Sequence, residues 1–461
     1  MSTLNTFASW TSKYTSWTDL KAWLQESEPS VEILEFEDSP YVILKSGKDT
    51  GAQPGQQPEV PVTEDLSAQS EAMQVCRSVV WNKRTNLPCS VAPFAARRDQ
   101  KIPFGQALRI EDFVEGVMIN VFRTKGVDGA ASETHVTTRS RLDADGTFYS
   151  DRTFRELFEE AMESKRVCLD DIEVVMGDPE AMANDGVQST FISLVLAHPE
   201  HRVVRSVDNA NFWAIYRGVV KTDGTVEFFT MDLPNGWRPK TYSLTFKAAE
   251  WSEVKAKFDE IKAGKPWHWQ GLVIHTGAGA QRWRFRNVEH DRVRRNLRGT
   301  ESNPFGRFLR LRANKKVQEY LRVYAEDSAA FQGYEQEYRL ATKTLYAWYC
   351  KCHKEHGLAF KALPKSVQPL VFGLHKHYLE ALRPAHKTLR LTETIEWITE
   401  HLKSDYGVPN VIRLSKETEQ PPMPSARTDA RPHSARAPVA EFRDELDLES
   451  GGGTPSVSDQ L

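Results

Sequence analysis

Between residues 70 and 315 apolar positions recur mostly at every second residue or in short apolar runs, the signature of strands buried on one or both faces. The stretches SVVWN, SVAPF, GVMINVF, HVTTRSRL, TFISLVLA, RVVRSV, FWAIYRGVV, QGLVIHT and RWRFRNV read as strands. Among them lies one amphipathic helix, YSDRTFRELFEEAMES, with Phe154, Leu157, Phe158 and Met162 at helical spacing. Beyond residue 316 the period lengthens, which predicts helices around Val317–Tyr324, Phe331–His356, Val367–Leu382 and Thr392–Lys403. Ahead of the strand-rich stretch, Trp17–Leu24 reads as a helix and VEILEFEDSPYVILK as β structure. The pattern predicts an α+β protein with an antiparallel-rich core and a C-terminal helical domain.

The domain boundaries follow. Residues 1–69 form an N-terminal segment whose Gly-, Pro- and Gln-rich part, 46–66, reads as a flexible surface insertion. Residues 70–315 form the strand-rich domain and 316–412 the helical domain. Residues 413–461, rich in Pro, Ser and Gly, read as a disordered tail, because that composition buries too little apolar surface to fold.

Composition adds limits rather than direction. Of 461 residues, 40% are hydrophobic and 27% charged, with a formal net charge of −3. No apolar run approaches the roughly 18 residues that span a bilayer, so no membrane association is expected. The N-terminus lacks a basic start followed by an apolar core. Five cysteines, Cys76, Cys89, Cys168, Cys350 and Cys352, are too few and too scattered for a disulfide framework, which points to a reducing, cytoplasmic setting.

One stretch carries a chemical puzzle. Read as a single strand, DFVEGVMINVF (residues 112–122) places Phe113, Glu115, Val117, Ile119 and Val121 on one face. A carboxylate there must be paired, hydrogen-bonded or functional, since an unpaired buried charge is costly. The plainer alternative is that Glu115 stands at a strand end and is solvated.

Taken in order, several motifs between residues 76 and 300 resemble one family. CRSVVWNKRTNLPCSVAPFAAR precedes FVEG at Phe113–Gly116; TRS at Thr138–Ser140 follows, then TFISLVLAHPEHRVV, WQGLVI and RWRFRNV. Together they resemble the ATP-dependent RNA ligases of the bacteriophage tRNA-repair type (the RNA ligase 1 family), within the covalent nucleotidyltransferase superfamily. That resemblance implies a nucleotidyltransferase core, a lysine that attacks ATP to form lysyl-AMP, and a metal-binding set of acids. It covers about half of the chain.

The reactive residues of that family do not carry over. Where the resemblance implies the nucleophilic lysine, the chain has Phe113. The acid two residues on is Glu115, in place of an aspartate. The glutamates expected in TFISLVL and WQGLVI fall on Val195 and Gln270, and the closing lysines fall on Arg284 and Arg286. Arginine keeps positive charge and forks onto phosphate, but with a pKa above about 12 it is a poor nucleophile. Phosphate-cradling charge is therefore kept while nucleophile and metal charge are lost. Glu115 (the remnant acid), Arg139, Gln270, Arg284 and Arg286 are expected to line a former nucleotide pocket, with Glu115 neutralised by Arg284 or Arg286. No metal site is expected. The alternative is an active ligase using a relocated lysine, Lys101 or Lys125, with ATP and magnesium as cofactors; otherwise the cofactor is unknown.

A basic segment follows. From Arg282 to Lys316 there are twelve Lys or Arg against three acids, interleaved with Trp283, Phe285, Phe305 and Phe308. Such a pattern suits a phosphate backbone with occasional base stacking, and Arg292, Arg294, Arg295 and Arg298 are the expected contacts to nucleic acid, RNA foremost. A solvated or internally paired basic face is the competing reading. Lesser signals are CKCHKEH (350–356), read as helix packing rather than a zinc site; HTGAGAQ (275–281), read as a hairpin turn; and Gly407, read as a helix C-cap. The expected function is an RNA-ligase-like protein that binds nucleic acid ends, nicks or nucleotide without forming lysyl-AMP. A non-catalytic scaffold is the further alternative.

Overall fold

The computed structural model describes residues 2–46, 70–94, 96–97, 108–126, 132–148, 150–229, 233–242, 251–276, 282–299, 301 and 303–418. The chain begins β1 (Ser2–Leu4), α1 (Thr6–Lys13), α2 (Trp17–Ser27), β2 (Val31–Glu35), β3 (Tyr41–Ser46), α3 (Glu71–Val75), β4 (Val79–Asn82), β5 (Leu87–Val91) and β6 (Ala96–Arg97). Next come β7 (Leu108–Asp112), β8 (Val117–Thr124), β9 (Thr134–Thr137), α4 (Phe154–Lys165), α5 (Leu169–Met176), β10 (Val187–Ala197), β11 (Asn211–Lys221), β12 (Val226–Phe229) and β13 (Thr241–Tyr242). Then follow α6 (Trp251–Ala263), β14 (Gly271–Thr276), β15 (Arg282–Arg286) and α7 (Val288–Arg292). The chain closes with α8 (Pro304–Ala313), α9 (Val317–Val323), α10 (Ser328–Tyr349), α11 (Gln368–His377), α12 (Leu391–His401) and α13 (Gly407–Thr418).

The strands form three sheets. A six-stranded sheet has the order β1-β12-β11-β10-β8-β9, a five-stranded sheet β13-β7-β14-β15-β6, and a four-stranded sheet β2-β3-β4-β5. All pairings are antiparallel except β15 with β6. The fold is thus α+β, with antiparallel sheets in the N-terminal part and helices in the C-terminal part.

Alternation along the long strands of the six-stranded sheet supplies two apolar faces. Ile119, Val121, Ile192, Leu194, Leu196 and Phe212 pack on α4 and α5. A capping box at Thr153 and Glu156 fixes the start of α4, and its Leu157, Phe158, Ala161 and Met162 are buried. From the opposite face, Phe122, Phe191, Val220 and Phe228 pack with Val42, Leu44, Val80 and Trp81 of the four-stranded sheet and with Phe7 and Trp10 of α1. The five-stranded sheet covers its own apolar side with α6, burying Ile110, Leu272, Ile274, Trp283 and Phe285 against Val254 and Phe258. The helices from α8 onward, with the turn before them, share a separate core that includes Phe308, Tyr320, Phe331, Tyr338, Leu345, Leu370 and Leu414.

Several expectations are corrected. Residues 112–122 are not one strand: β7 ends at Asp112, β8 starts at Val117, and the two belong to different sheets. RVVRSV is a loop, because its valines turn away from any sheet edge; Val204 is fully buried in the helical core. The N-terminal segment is not separate, since β1 joins the six-stranded sheet and β2–β3 extend β4–β5. Gly407 opens α13 instead of closing a helix, and α13 continues to Thr418 with Val411 and Leu414 buried, so ordered chain extends past residue 412. The insertion from residue 47, Lys101, the turn 277–281 and the tail from residue 419 lie outside the described residues.

The helical part is fastened to the sheets by Arg202, which follows the turn at Pro199. Its guanidinium donates to the carbonyls of Val204 (3.1 Å) and Val323 (3.0 Å), pairs with Glu326, and lies 4.8 Å from the centre of the Tyr324 ring. Tyr324 in turn donates its hydroxyl to the Val203 carbonyl at 2.6 Å. Replacing Arg202 by alanine is expected to lower unfolding free energy by about 2–3 kcal/mol, because it strips hydrogen bonds from partly buried carbonyls. Urea denaturation followed by tryptophan fluorescence measures the loss.

Candidate functional site

The junction between β7 and β8 is where the two larger sheets are joined by four residues, Phe113 to Gly116. Glu115 sits in this crossover with its side chain 12% exposed. It is neither solvated nor met by Arg284 or Arg286. One carboxylate oxygen accepts the backbone N–H groups of Val204 (2.8 Å) and Arg205 (3.0 Å); the other contacts Nε2 of His290, a fully buried residue of α7. The loop that failed to form a strand thus supplies two aligned amides to the carboxylate. Gly116 follows for a steric reason: a Cβ there would lie 2.0 Å from the Leu196 carbonyl oxygen. A pocket opens beside this point, lined by Glu115, His198, His201, Arg205 and Trp213 among others.

Alternation along β7, β14 and β15 puts Arg109, Glu111, Gly271, Val273, His275, Arg282, Arg284 and Arg286 on the face of the five-stranded sheet opposite α6. This face is turned toward β11, since Arg109 donates to the Ile215 carbonyl at 3.1 Å. The one fully enclosed carboxylate among the described residues is here: Glu111, 2% exposed, accepts from His275 at 2.7 Å and pairs with Arg109 at 3.3 Å. Burial alone would raise its pKa, but His275, Arg109 and Arg282 together hold it below the ordinary carboxylate range. The sequence reading started the strand at residue 112 and missed Glu111, Arg109 and His275. The alternation Arg109–Glu111–Phe113 was the available signal.

Phe113 continues this row. Its N–H donates to the Gly271 carbonyl at 2.8 Å, and the Arg286 guanidinium lies 5.1 Å from its ring centre. Arg286 also pairs with Asp291 at 3.0 Å. Gln270 is partly buried and its side-chain Oε1 has no hydrogen-bond partner, while its backbone carbonyl accepts from Asn287. Arg284 lies between Arg282 and Arg286 on the same face. Arg139 falls at the other end of the row. Its pKa is pushed down to about 10 by burial and by the neighbouring Arg77 and Arg282. Val195, where a glutamate was expected, is 7% exposed and opposes Met118 and Trp213.

The expected site residues therefore divide. Phe113 and Arg286 touch, and Arg139 lies within electrostatic reach of Arg282. Glu115 turns away from that row toward α7 and the 204–205 loop. Lys125 lies at the far end of β8 from Glu115, more than about 20 Å along an extended strand, so it is out of reach as a nucleophile there.

The basic segment is largely paired within the protein. Arg292 pairs with Glu289 and Glu319, and Arg294 and Arg295 share Asp291. Arg298 is 7% exposed and donates to the Tyr320 hydroxyl at 2.8 Å, so it belongs to the helical core. Phe305 and Phe308 are buried in that core as well. In CKCHKEH, Cys350–Lys354 is a π-helical turn ending α10, and the His353 ring stacks on His375 with centres 3.8 Å apart. Among the described residues no group of three or more His, Cys, Asp and Glu side chains could hold a metal ion.

The chain matches no protein-family model, and no curated protein matches it.

Two outcomes follow from the geometry. Glu115→Gln keeps the shape but removes the charge from the two amide bonds, and is expected to cost about 2 kcal/mol in urea denaturation. His201 lies beside the same pocket, with its pKa pushed down to about 4 by burial first and by Arg298 next, against the pull of Glu115. The unfolded chain therefore takes up a proton before the folded one. Stability from His201 is full above pH 6.5 and lost as pH falls toward 4, up to about 3 kcal/mol. His201→Asn is expected to flatten that part of a stability–pH profile by about one proton.

Proposed function

We propose that the protein is an RNA-ligase-like protein of nucleotidyltransferase type that binds nucleotide or nucleic acid ends at the β7–β15 face and does not form lysyl-AMP. The observation that carries this reading is the pairing at its centre. An aromatic ring, Phe113, stands at the crossover between the two sheets, and a guanidinium, Arg286, is stacked on it at 5.1 Å. Among the described residues the cation over Phe113 is a guanidinium rather than an amine, and Arg282, Arg284 and Arg286 share one face, with Arg139 in electrostatic reach of Arg282. Arginine at such positions can fork onto phosphate oxygens but does not lose its proton near neutrality. Any phosphate held there would be bound rather than transferred to the protein.

A scaffold reading has its own support. Arg292, Arg294, Arg295 and Arg298 are engaged with acids or a tyrosine of the same chain, as expected of structural cations.

The readings separate on two measurements. Incubation with magnesium and ATP labelled at the α-phosphate is expected to leave the protein unlabelled after denaturing electrophoresis. A covalent label mapping to Lys101 would instead establish an active ligase. Titration calorimetry with ATP is expected to show binding that weakens at least tenfold in Arg284→Ala/Arg286→Ala, with the protein still folded by circular dichroism. If the wild type binds neither ATP nor RNA, the scaffold reading holds.

A further inference from the structure

The basic segment that the sequence emphasised spends its charge inside the molecule. A second one does not. Between Lys351 and Arg390 the chain has eight Lys or Arg and two acids, Glu355 and Glu380. Two contacts bring the parts of this segment together at one end of the helical core. The turn Cys350–Lys354 finishes α10, and its His353 stacks on His375 of α11 at 3.8 Å, next to Lys376. Lys354 Nζ donates to the Leu389 carbonyl at 2.7 Å, which sets the end of α10 against the stretch Arg383–Arg390. A second π-helical turn, Tyr378–Leu382, ends α11 and leads directly into Arg383, whose N–H donates to the Tyr378 carbonyl.

Lys351, Lys354, Lys376, Arg383, Lys387 and Arg390 are all exposed. Acidic partners are few. Glu380 lies 3.8 Å from Lys376, and Glu393 sits beside Arg390, whose N–H it accepts. Lys351, Arg383 and Lys387 have no carboxylate partner among the described residues. Helix electrostatics accounts for part of this placement: Lys351 and Lys354 stand at the C-terminal end of α10, where the helix dipole favours cations. It does not account for Lys387, beyond the end of α11, nor for Arg390, the N-cap of α12, where the dipole disfavours a cation. Beside the cations, Phe372 is 63% exposed and Leu379 41% exposed.

We infer that this end of the helical region, carrying Lys351, Lys354, Arg383 and Lys387, is a docking surface for the phosphate backbone of a nucleic acid. Exposed cations with few acidic partners, on chain segments joined by the Lys354–Leu389 contact, fit a polyanion, and an exposed aromatic on α11 suits an unstacked base. The surface lies on elements distinct from the β7–β15 face and does not depend on a nucleotide binding there; only the choice of nucleic acid as partner rests on the proposed reading.

The test uses the full chain and a fluorescein-labelled 20-nucleotide RNA, single- and double-stranded, by anisotropy at 50 and 200 mM salt. The variant is Lys351→Glu/Arg383→Glu/Lys387→Glu, with Lys351→Gln/Arg383→Gln/Lys387→Gln as a milder companion. The expected result is a loss of affinity of tenfold or more in both variants at unchanged melting temperature. The salt slope should be shallower by roughly two for single strands, at about 0.7 per lost phosphate contact. Both Lys351/Arg383/Lys387 variants should retain ATP affinity within threefold, whereas Arg284→Ala/Arg286→Ala should lose it, so failure of the β-face reading and failure of this one are separable. Wild-type affinity in the folded Gln variant, or no RNA binding by the wild type at 50 mM salt, overturns the inference. So does co-sedimentation with phosphatidylserine vesicles, lost in the Glu variant, without RNA binding, which would assign the surface to a membrane.

Discussion

The arrangement of this protein depends on one charge-assisted cluster. Glu115 leaves the crossover between two sheets and accepts the amides of Val204 and Arg205 while contacting His290 of α7. Three pieces of chain far apart in sequence meet at that carboxylate. Amides donated to a charged acceptor are stronger than neutral hydrogen bonds, and their distance from one another in the chain makes them a tertiary constraint rather than a local one. Gly116 permits it, by allowing the backbone to pass against Leu196 where no side chain fits. Arg202 then carries the same loop onto the helical core through Val323, Glu326 and Tyr324.

With Glu115 committed to holding the crossover, the charged face of the five-stranded sheet has its own logic. Glu111 neutralises one end of the row through Arg109 and His275, and Asp291 receives Arg286 at the other. Arg139 is packed among cations instead of acids.

Charge elsewhere is distributed by pairing rather than by count. The segment Arg282–Lys316 carries the larger number of arginines, yet Asp291 alone receives three of them, and Glu289, Glu319 and Glu301 hold others. The segment Lys351–Arg390 has little to pair with and leaves its cations at the surface. A basic segment largely paired with acids and one with few acidic partners are different electrostatic objects, and the second presents the stronger field to an approaching polyanion.

Much of the architecture was legible in the residues alone. Period-two runs gave β10, β11, β14 and β15, and 3.6-residue spacing gave α4, α9, α10 and α11, because burial on one face leaves a periodic trace in the chain itself. The alternation of Arg282, Arg284 and Arg286 fixed their common face for the same reason. The sequence did not show that residues 112–122 belong to two sheets, because a crossover of four residues between apolar strands preserves the hydrophobic run. Nor could it pair Glu115 with His290, or Arg292 with Glu319, since partners separated by 175 and 27 residues leave no local pattern. Which charges are spent inside the molecule and which face solvent is a property of distance in space, and the folded chain alone sets that distance.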